Sequence, residues 1–330
     1  MKDKEARYYE KKPDKKVVCL LCPHQCLISE GKTGLCRVRQ NREGELYSTS
    51  YGRTVTVNVD PIEKKPLYHF IPGSRILSIG PNGCTMTCRF CQNWSISQEK
   101  VPTRYISPSD LPAMAEDRGC MGVAFTYTEP LIWFEYLLDV LPLLREKSLK
   151  SVLVTNGYIN RDPGLEISSM VDGFNIDLKG FNEEFYRKYC GAGLEPVKEF
   201  IRIAAEHSHV EITNLIIPGL NDDFDEIEGM VKFLGGISRE IPLHFSRFFP
   251  HYRMDDIGPT PGETLKKAHH IAKRYLDYVY IGNIFIEGTD RTHCPECGSV
   301  VIERGGYARS TLKESGACPE CGNIIKGVWS

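Results

Sequence analysis

The sequence predicts an α/β protein built on a partial, parallel (β/α)6-type barrel, with a small cysteine-rich module at each end. Three observations carry this expectation. From Ser74 onward, short apolar and β-branched runs alternate with helical stretches, the rhythm of a parallel sheet. Six or seven such repeats occupy about 215 residues, which is too little chain for the eight of a closed barrel. Eleven of the 13 cysteines fall into three tight clusters, and two of those clusters lie outside the repeats.

At 330 residues, with 41% hydrophobic and 25% charged residues, the chain has room for a sizeable core. A net charge of −2 argues against a large nucleic-acid footprint or a basic membrane surface. No apolar run approaches the ~18 residues of a membrane span. Met1 to Lys16 is charged and lacks the apolar core of a signal peptide. The expected compartment is the cytoplasm. There, clustered cysteines read as metal ligands or catalytic groups rather than disulfides.

Residues 1–18 are polar and read as a loosely ordered lead-in to a first module spanning 1–68. Its cysteines are Cys19, Cys22, Cys26 and Cys36, set among a Cys-Pro pair and glycine turns. In so loop-rich a segment a metal would replace a missing core. The spacing fits tetrahedral zinc or an auxiliary iron–sulfur cluster, with His24 able to stand in for one cysteine. Residues 45–51 and 54–59 alternate and read as two strands around Gly52.

The barrel is expected over 69–288. Its strands are read at 75–79, 121–126, 151–155, 173–178, 210–217 and 242–246, with 278–284 as a further candidate. Between them lie a helix start capped by Ser107, a long helix over 130–147, helical patterns over 182–207, and helices over 223–234 and 262–276. The tail, 289–330, carries Cys294-Pro-Glu-Cys297-Gly and Cys318-Pro-Glu-Cys321-Gly, two knuckles with the spacing of a zinc ribbon. Four thiolates close a tetrahedron, so that site is structural.

Cys84, Cys88 and Cys91, spaced C-x3-C-x2-C, are different. An iron–sulfur cubane takes four cysteines, one for each iron. Three leave one iron open to a substrate or cofactor, which points to chemistry. In parallel β/α sheets functional groups gather at the strands' C-terminal ends. Those ends here carry the triplet, then Glu129, Asn156, the pair Asp177 and Lys179, and His244. Each has a plainer reading: Glu129 as a helix cap, Asn156-Gly157 as a turn, Asp177 and Lys179 as a surface ion pair, His244 as a core histidine. Trp94, Phe248 and Phe249 read as packing, and Cys120 and Cys190 as small buried apolar groups.

The triplet, with Phe90 before its last cysteine, resembles the cluster motif of the radical S-adenosylmethionine superfamily. Pro81-Asn82-Gly83-Cys84 and Cys91-Gln92-Asn93-Trp94 are similar to relatives of pyruvate formate-lyase activating enzyme. Cys22-Pro-His-Gln-Cys26, Asp177-Leu-Lys179 and Tyr280-Ile-Gly-Asn283 resemble the radical member of the AmmeMemoRadiSam system. The resemblance implies a [4Fe–4S] cluster whose open iron chelates S-adenosylmethionine. It places Phe90 near the adenine, Glu129 at the methionine amino group and Asn156 among the contact residues. Asp177 would meet the ribose hydroxyls and Lys179 the methionine carboxylate. Where the family has two glycines before the glutamate, this sequence has Tyr127 and Thr128.

The implied activity is reductive cleavage of S-adenosylmethionine to a 5′-deoxyadenosyl radical, which abstracts hydrogen from a substrate. The implied partners are an electron donor such as flavodoxin or ferredoxin, and the other AmmeMemoRadiSam proteins. Two alternatives are an activase that installs a glycyl radical on a partner protein, and a metal-stabilised, non-enzymatic scaffold.

Overall fold

The computed structural model describes residues 3–330. Its centre is a nine-stranded sheet: β1 (Arg53–Pro61), β2 (Arg75–Pro81), β3 (Arg104–Tyr105), β4 (Gly122–Phe125), β5 (Lys150–Thr155), β6 (Gly173–Asp177), β7 (His209–Ile216), β8 (Leu243–Arg247) and β9 (Val279–Gly282). The spatial order is β9-β8-β7-β6-β5-β4-β2-β1-β3. From β2 to β9 the neighbours run parallel, seven strands in all. β1 lies antiparallel on β2 and carries β3 on its other side. The sheet ends at β9 and β3, so the barrel is open. Six β/α units and a seventh strand therefore make the predicted partial barrel.

The strands are legible because they are buried on both faces and read as continuous apolar runs. Gly122–Phe125 is buried throughout. The main helices are α1 (Asp110–Glu116), α2 (Phe134–Glu146), α3 (Arg161–Ser168), α4 (Leu194–His207), α5 (Phe224–Ile237) and α6 (Gly262–Ala272). They cover the outside with apolar stripes, such as Val197, Phe200, Ile201 and Ala204 of α4. The side chain of Asp223 caps α5, accepting from the backbone N–H groups of Asp225 and Glu226.

Three local expectations change. The helical patterns over 182–207 resolve into separate pieces: a turn of α-helix at Glu183–Phe185 runs into a π-turn at Tyr186–Cys190, and α4 starts afresh at Leu194. Gly191 makes the break, in the left-handed region at φ 66°. The strand read at 54–59 extends over β1 and belongs to the central sheet. Residues 3–18 are no loose lead-in. They form short strands at Lys4–Glu5, Tyr9–Lys12 and Lys16–Cys19, because Ala6 and Val17 are buried and Tyr8 packs edge-on against Phe134. Arg7 and Tyr8 also bind Glu166 of α3 through their side chains.

The base of the barrel is plugged by the connection from β1 to β2. Ile62, Leu67 and Phe70 are fully buried against Ile76, Ala124 and Val152. A buried carboxylate, Glu211, ties the plug down: it accepts from the backbone N–H of Tyr68 at 3.0 Å and of His69 at 2.7 Å. The C-terminal tail closes over this end. His69 joins Lys326 O and the Tyr280 hydroxyl, which in turn joins Thr292. The tail is a three-stranded antiparallel sheet, Thr292–His293, Val300–Gly305 and Tyr307–Ser310. Among the described residues no helix is long and apolar enough to cross a membrane.

Candidate functional site

The three cysteines of the C-x3-C-x2-C run sit on the loop that leaves β2 at its C-terminal end. Several braces fix that loop. The Asn82 side chain donates to Ile96 O at 2.6 Å and Glu99 O at 2.7 Å, closing the loop back on itself. The backbone N–H groups of Thr87 and Arg89 donate to Cys190 O and Tyr189 O, both at 2.9 Å. The π-turn thus serves as the loop's outer wall. Gly191 is needed there for a second reason: a Cβ would lie 2.5 Å from the Thr87 hydroxyl.

The rim opposite is built from the next two strand ends. Glu129, 1% exposed, caps the turn that begins α2 by accepting from Leu131 N at 2.9 Å. The same oxygen accepts from the Thr155 hydroxyl at 2.7 Å, and the other from Asn156 N at 2.9 Å. A carboxylate offers about four acceptor positions. Three are filled from within the protein, which leaves one on Oε2 for an incoming N–H. Burial pushes the Glu129 carboxyl up to about 7, against three hydrogen bonds that favour its ionised form. Asn156 links this carboxylate to the cysteine loop: its Nδ2 donates to Thr85 Oγ1 at 3.0 Å and lies 3.5 Å from Cys84 Sγ.

On the far side, Lys179 Nζ pairs with Asp177 at 3.0 Å and lies 6.0 Å from the centre of the Phe90 ring. Burial works against its charge, but Asp177 and the thiols of Cys88 and Cys190 outweigh this and raise its pKa well above the usual value. Phe90 is buried and stacks toward Phe185. Hence Glu129 is both a cap and a rim carboxylate. Asp177 and Lys179 are an ion pair, but one set beside the cysteine loop.

Contact with the Cys190 thiol, and then burial, push Cys88 well up; burial pushes Cys84 well up and raises Cys91. Bound metal reverses that preference, since a coordinating thiol is deprotonated outright. The three thiols of Cys84, Cys88 and Cys91 are therefore a donor set that would suit a metal centre.

Of the two residues before Glu129, Tyr127 adopts a backbone conformation that favours glycine. Tyr127 takes φ 70°. Its ring and hydroxyl hold it there: the hydroxyl donates to Asp60 at 2.8 Å, Lys65 Nζ sits 4.7 Å from the ring centre, and its carbonyl accepts from Asn93. This brace left no mark in the local sequence, because Asp60 and Lys65 are distant in the chain and charged residues there read as surface. The contact of Cys190 with Cys88 was equally hidden, for only the π-turn brings them together.

The other predicted residues lie apart from this rim. His244 is at the barrel base, 2.7 Å from Glu211, as a core histidine. Trp94 stacks on Tyr252, and Phe248 is buried. The sulfurs of Cys294, Cys297, Cys318 and Cys321 all lie within 4.8 Å of one another, in the tail. Cys19, Cys22, Cys26 and Cys36 line one pocket behind the cysteine loop.

Comparison with known proteins agrees with this geometry. Residues 78–234 match the family model described as the radical SAM superfamily. A Methanocaldococcus jannaschii protein, "Uncharacterized protein MJ0808", is 43% identical over 307 residues, 91% of each chain. The pyruvate formate-lyase-activating enzyme of Clostridium pasteurianum is 25% identical over 213 residues, 59% of this chain and 89% of the relative. Among solved structures, a domain of pyruvate-formate lyase-activating enzyme from Bacteroides vulgatus has 23% identity and a TM-score of 0.44, covering 49% of this chain and 99% of that one. The chain thus belongs to the radical SAM superfamily, as an enzyme of that class similar to the pyruvate formate-lyase activating enzymes.

Proposed function

We propose that the enzyme reductively cleaves S-adenosylmethionine at a [4Fe–4S] cluster held by Cys84, Cys88 and Cys91, and uses the product radical to take hydrogen from a substrate. The observation that carries this is the pairing of a three-thiol loop with a buried carboxylate that keeps one acceptor position free. Bound there, the cluster would supply one electron to the sulfonium, giving methionine and a 5′-deoxyadenosyl radical. The protein's own part is positioning. Glu129 would accept from the methionine amino group, with Asn156 fixing the distance between that carboxylate and the loop. Lys179 would meet the methionine carboxylate, Asp177 the ribose hydroxyls, and Phe90 the adenine. The plugged base leaves the strands' C-terminal mouth as the substrate's way in.

Anaerobic reconstitution with a reductant and S-adenosylmethionine should yield 5′-deoxyadenosine. Cys84→Ala, Cys88→Ala and Cys91→Ala should each abolish it; wild-type yield no higher than these variants would refute the proposal. A narrower reading, installation of a glycyl radical on a partner protein, draws support from the relative named as an activating enzyme. A glycyl-radical signal on that partner would be its signature. The site also requires a low-potential electron donor of the flavodoxin or ferredoxin kind, and a cytoplasmic setting suits its thiols. The other AmmeMemoRadiSam proteins are the partners that the motif resemblance points to.

In the tail, zinc is the metal that best suits the geometry. Cys294 and Cys321 sulfurs are 3.6 Å apart, and Cys297 and Cys318 3.7 Å. Tetrahedral Zn–S bonds of about 2.3 Å place sulfurs about 3.8 Å apart.

A further inference from the structure

We propose that Cys19, Cys22, Cys26 and Cys36 hold a second iron–sulfur cluster, of the four-iron type, set directly behind the loop of Cys84, Cys88 and Cys91. The inference does not depend on the S-adenosylmethionine chemistry proposed above. It rests on the arrangement of the four thiols, on two N–H groups of a buried guanidinium that lack acceptors, and on position.

The four cysteines line one pocket, walled otherwise by apolar side chains such as Leu21, Ile28 and Ile132. Among the described residues, the tail's cysteines are the group whose ligand atoms all fall within 4.8 Å of one another. The N-terminal four line a common pocket but, like the Cys84 triplet, are not gathered that closely. A cubane, which gives every iron its own thiolate, does not require its four thiols to close around one ion, as mononuclear zinc does.

Arg39 supplies the second observation. It is 1% exposed and lines the same pocket. Its Nη2 binds both oxygens of Glu135, at 3.0 and 2.9 Å, but Nε and Nη1 have no partner. Buried guanidinium N–H groups want an acceptor of negative charge. Cluster sulfides and thiolates are such acceptors.

The third observation is place. Thr85, next to Cys84, also lines the pocket, and its carbonyl lies 2.7 Å from His24 Nε2. A Cβ at Gly83 would fall 2.7 Å from Cys36 O, so the two cysteine loops are packed backbone against backbone. With four thiols the second centre has no open iron for a substrate. Its position suits it to take one electron from a low-potential donor protein and pass that same electron on toward the Cys84 loop.

The test is metal analysis of the full chain prepared without oxygen, as wild type, as the Cys84→Ala/Cys88→Ala/Cys91→Ala variant, and as Cys22→Ala/Cys26→Ala. The expected result is about eight irons and eight sulfides in wild type, and about four of each in either variant. The triple variant should keep a visible absorption that dithionite bleaches, and a reduced-cluster spin-resonance signal that S-adenosylmethionine does not alter. Iron-free triple variant, whether it carries extra zinc or no other metal at that site, overturns the proposal. If the triple variant does not fold, the wild-type count decides: about eight irons supports it, and about four with zinc beyond the ribbon's overturns it.

Discussion

Glu129→Gln is the change that most directly probes the proposed binding of S-adenosylmethionine. The carboxylate's Oε1 takes two donors, Leu131 N and the Thr155 hydroxyl, while Oε2 takes Asn156 N and keeps one position free. A glutamine keeps both Oε1 bonds by placing its amide oxygen there. Its NH2 then faces Asn156 N–H and the ligand's amino group, donor against donor. One internal hydrogen bond is lost at a buried site, which costs about 1–3 kcal/mol of stability. A hydrogen bond from the ligand to a charged acceptor is lost as well, about 1.5–3 kcal/mol, so the dissociation constant should rise about 10- to 100-fold.

The wild-type site adds a pH signature. The free protein holds a proton on Glu129 up to about pH 7, above the usual 4.5, because burial disfavours the anion. A ligand N–H selects the ionised form, so binding must release that proton below pH 7. Affinity should therefore rise by about tenfold from pH 6 to pH 8 and flatten above the folded pKa. For folding the sign is opposite: the folded chain keeps a proton the unfolded chain has lost, so this group's contribution to stability falls as pH rises from 4.5 to about 7. Equilibrium binding to the anaerobically reconstituted protein, followed by the ligand-induced change in the cluster's spin-resonance signal, measures the first effect. Wild-type affinity that is flat from pH 6 to 8, or a glutamine variant that binds normally with its iron content intact, would refute the assignment.

Other expectations follow from buried partnerships. Glu211 accepts two backbone N–H groups and stands 3.0 Å from His209 and 2.7 Å from His244, so Glu211→Gln should cost about 3–5 kcal/mol in denaturant unfolding. Burial raises its carboxyl, but the bonds from His209 and His244 prevail and hold it well below its usual value. Its stabilisation is present above about 4.5 and lost as pH falls through that lower value. Tyr127→Phe removes the hydroxyl from Asp60 while retaining φ 70°, and should lower stability by about 1.5–3 kcal/mol in a thermal melt. Cys297→Ser with Cys318→Ser should release the tail's metal and expose residues 290–330 to protease, leaving the iron content unchanged by elemental analysis.

Much of the fold was legible because its signals are local. Strands such as Gly122–Phe125 are buried on both faces and read as unbroken apolar runs, and Asp223 announces α5 by its cap. The triplet and the tail knuckles were legible too, as ligands close in sequence must be close in space. What stayed hidden depends on partners distant in the chain. The first 18 residues look like a charged lead-in until Tyr8 meets Phe134 and Arg7 meets Glu166. The break before α4 was missed because Gly191 acts through its contact with Thr87, about a hundred residues earlier, which periodicity does not register.

The same distinction separates the three cysteine groups. Spacing along the chain left the first group open between zinc and iron, since both metals accept C-x2-C-type turns. Spacing in the fold discriminates, because a single ion and a cubane demand different separations from the same four thiols. The tail's sulfurs, at 3.6 and 3.7 Å, meet the demand of one ion. The N-terminal four line an apolar pocket together with a buried guanidinium whose Nε and Nη1 have no partner. The rim triplet adds what neither quartet has, a missing fourth thiol opposite a carboxylate with an acceptor position to spare. Cys190 lies against Cys88, yet its backbone carbonyl is tied to Thr87 N at 2.9 Å, which anchors the π-turn as the loop's wall. On the proposed reading, Glu129 and Asn156 are where S-adenosylmethionine would complete the loop.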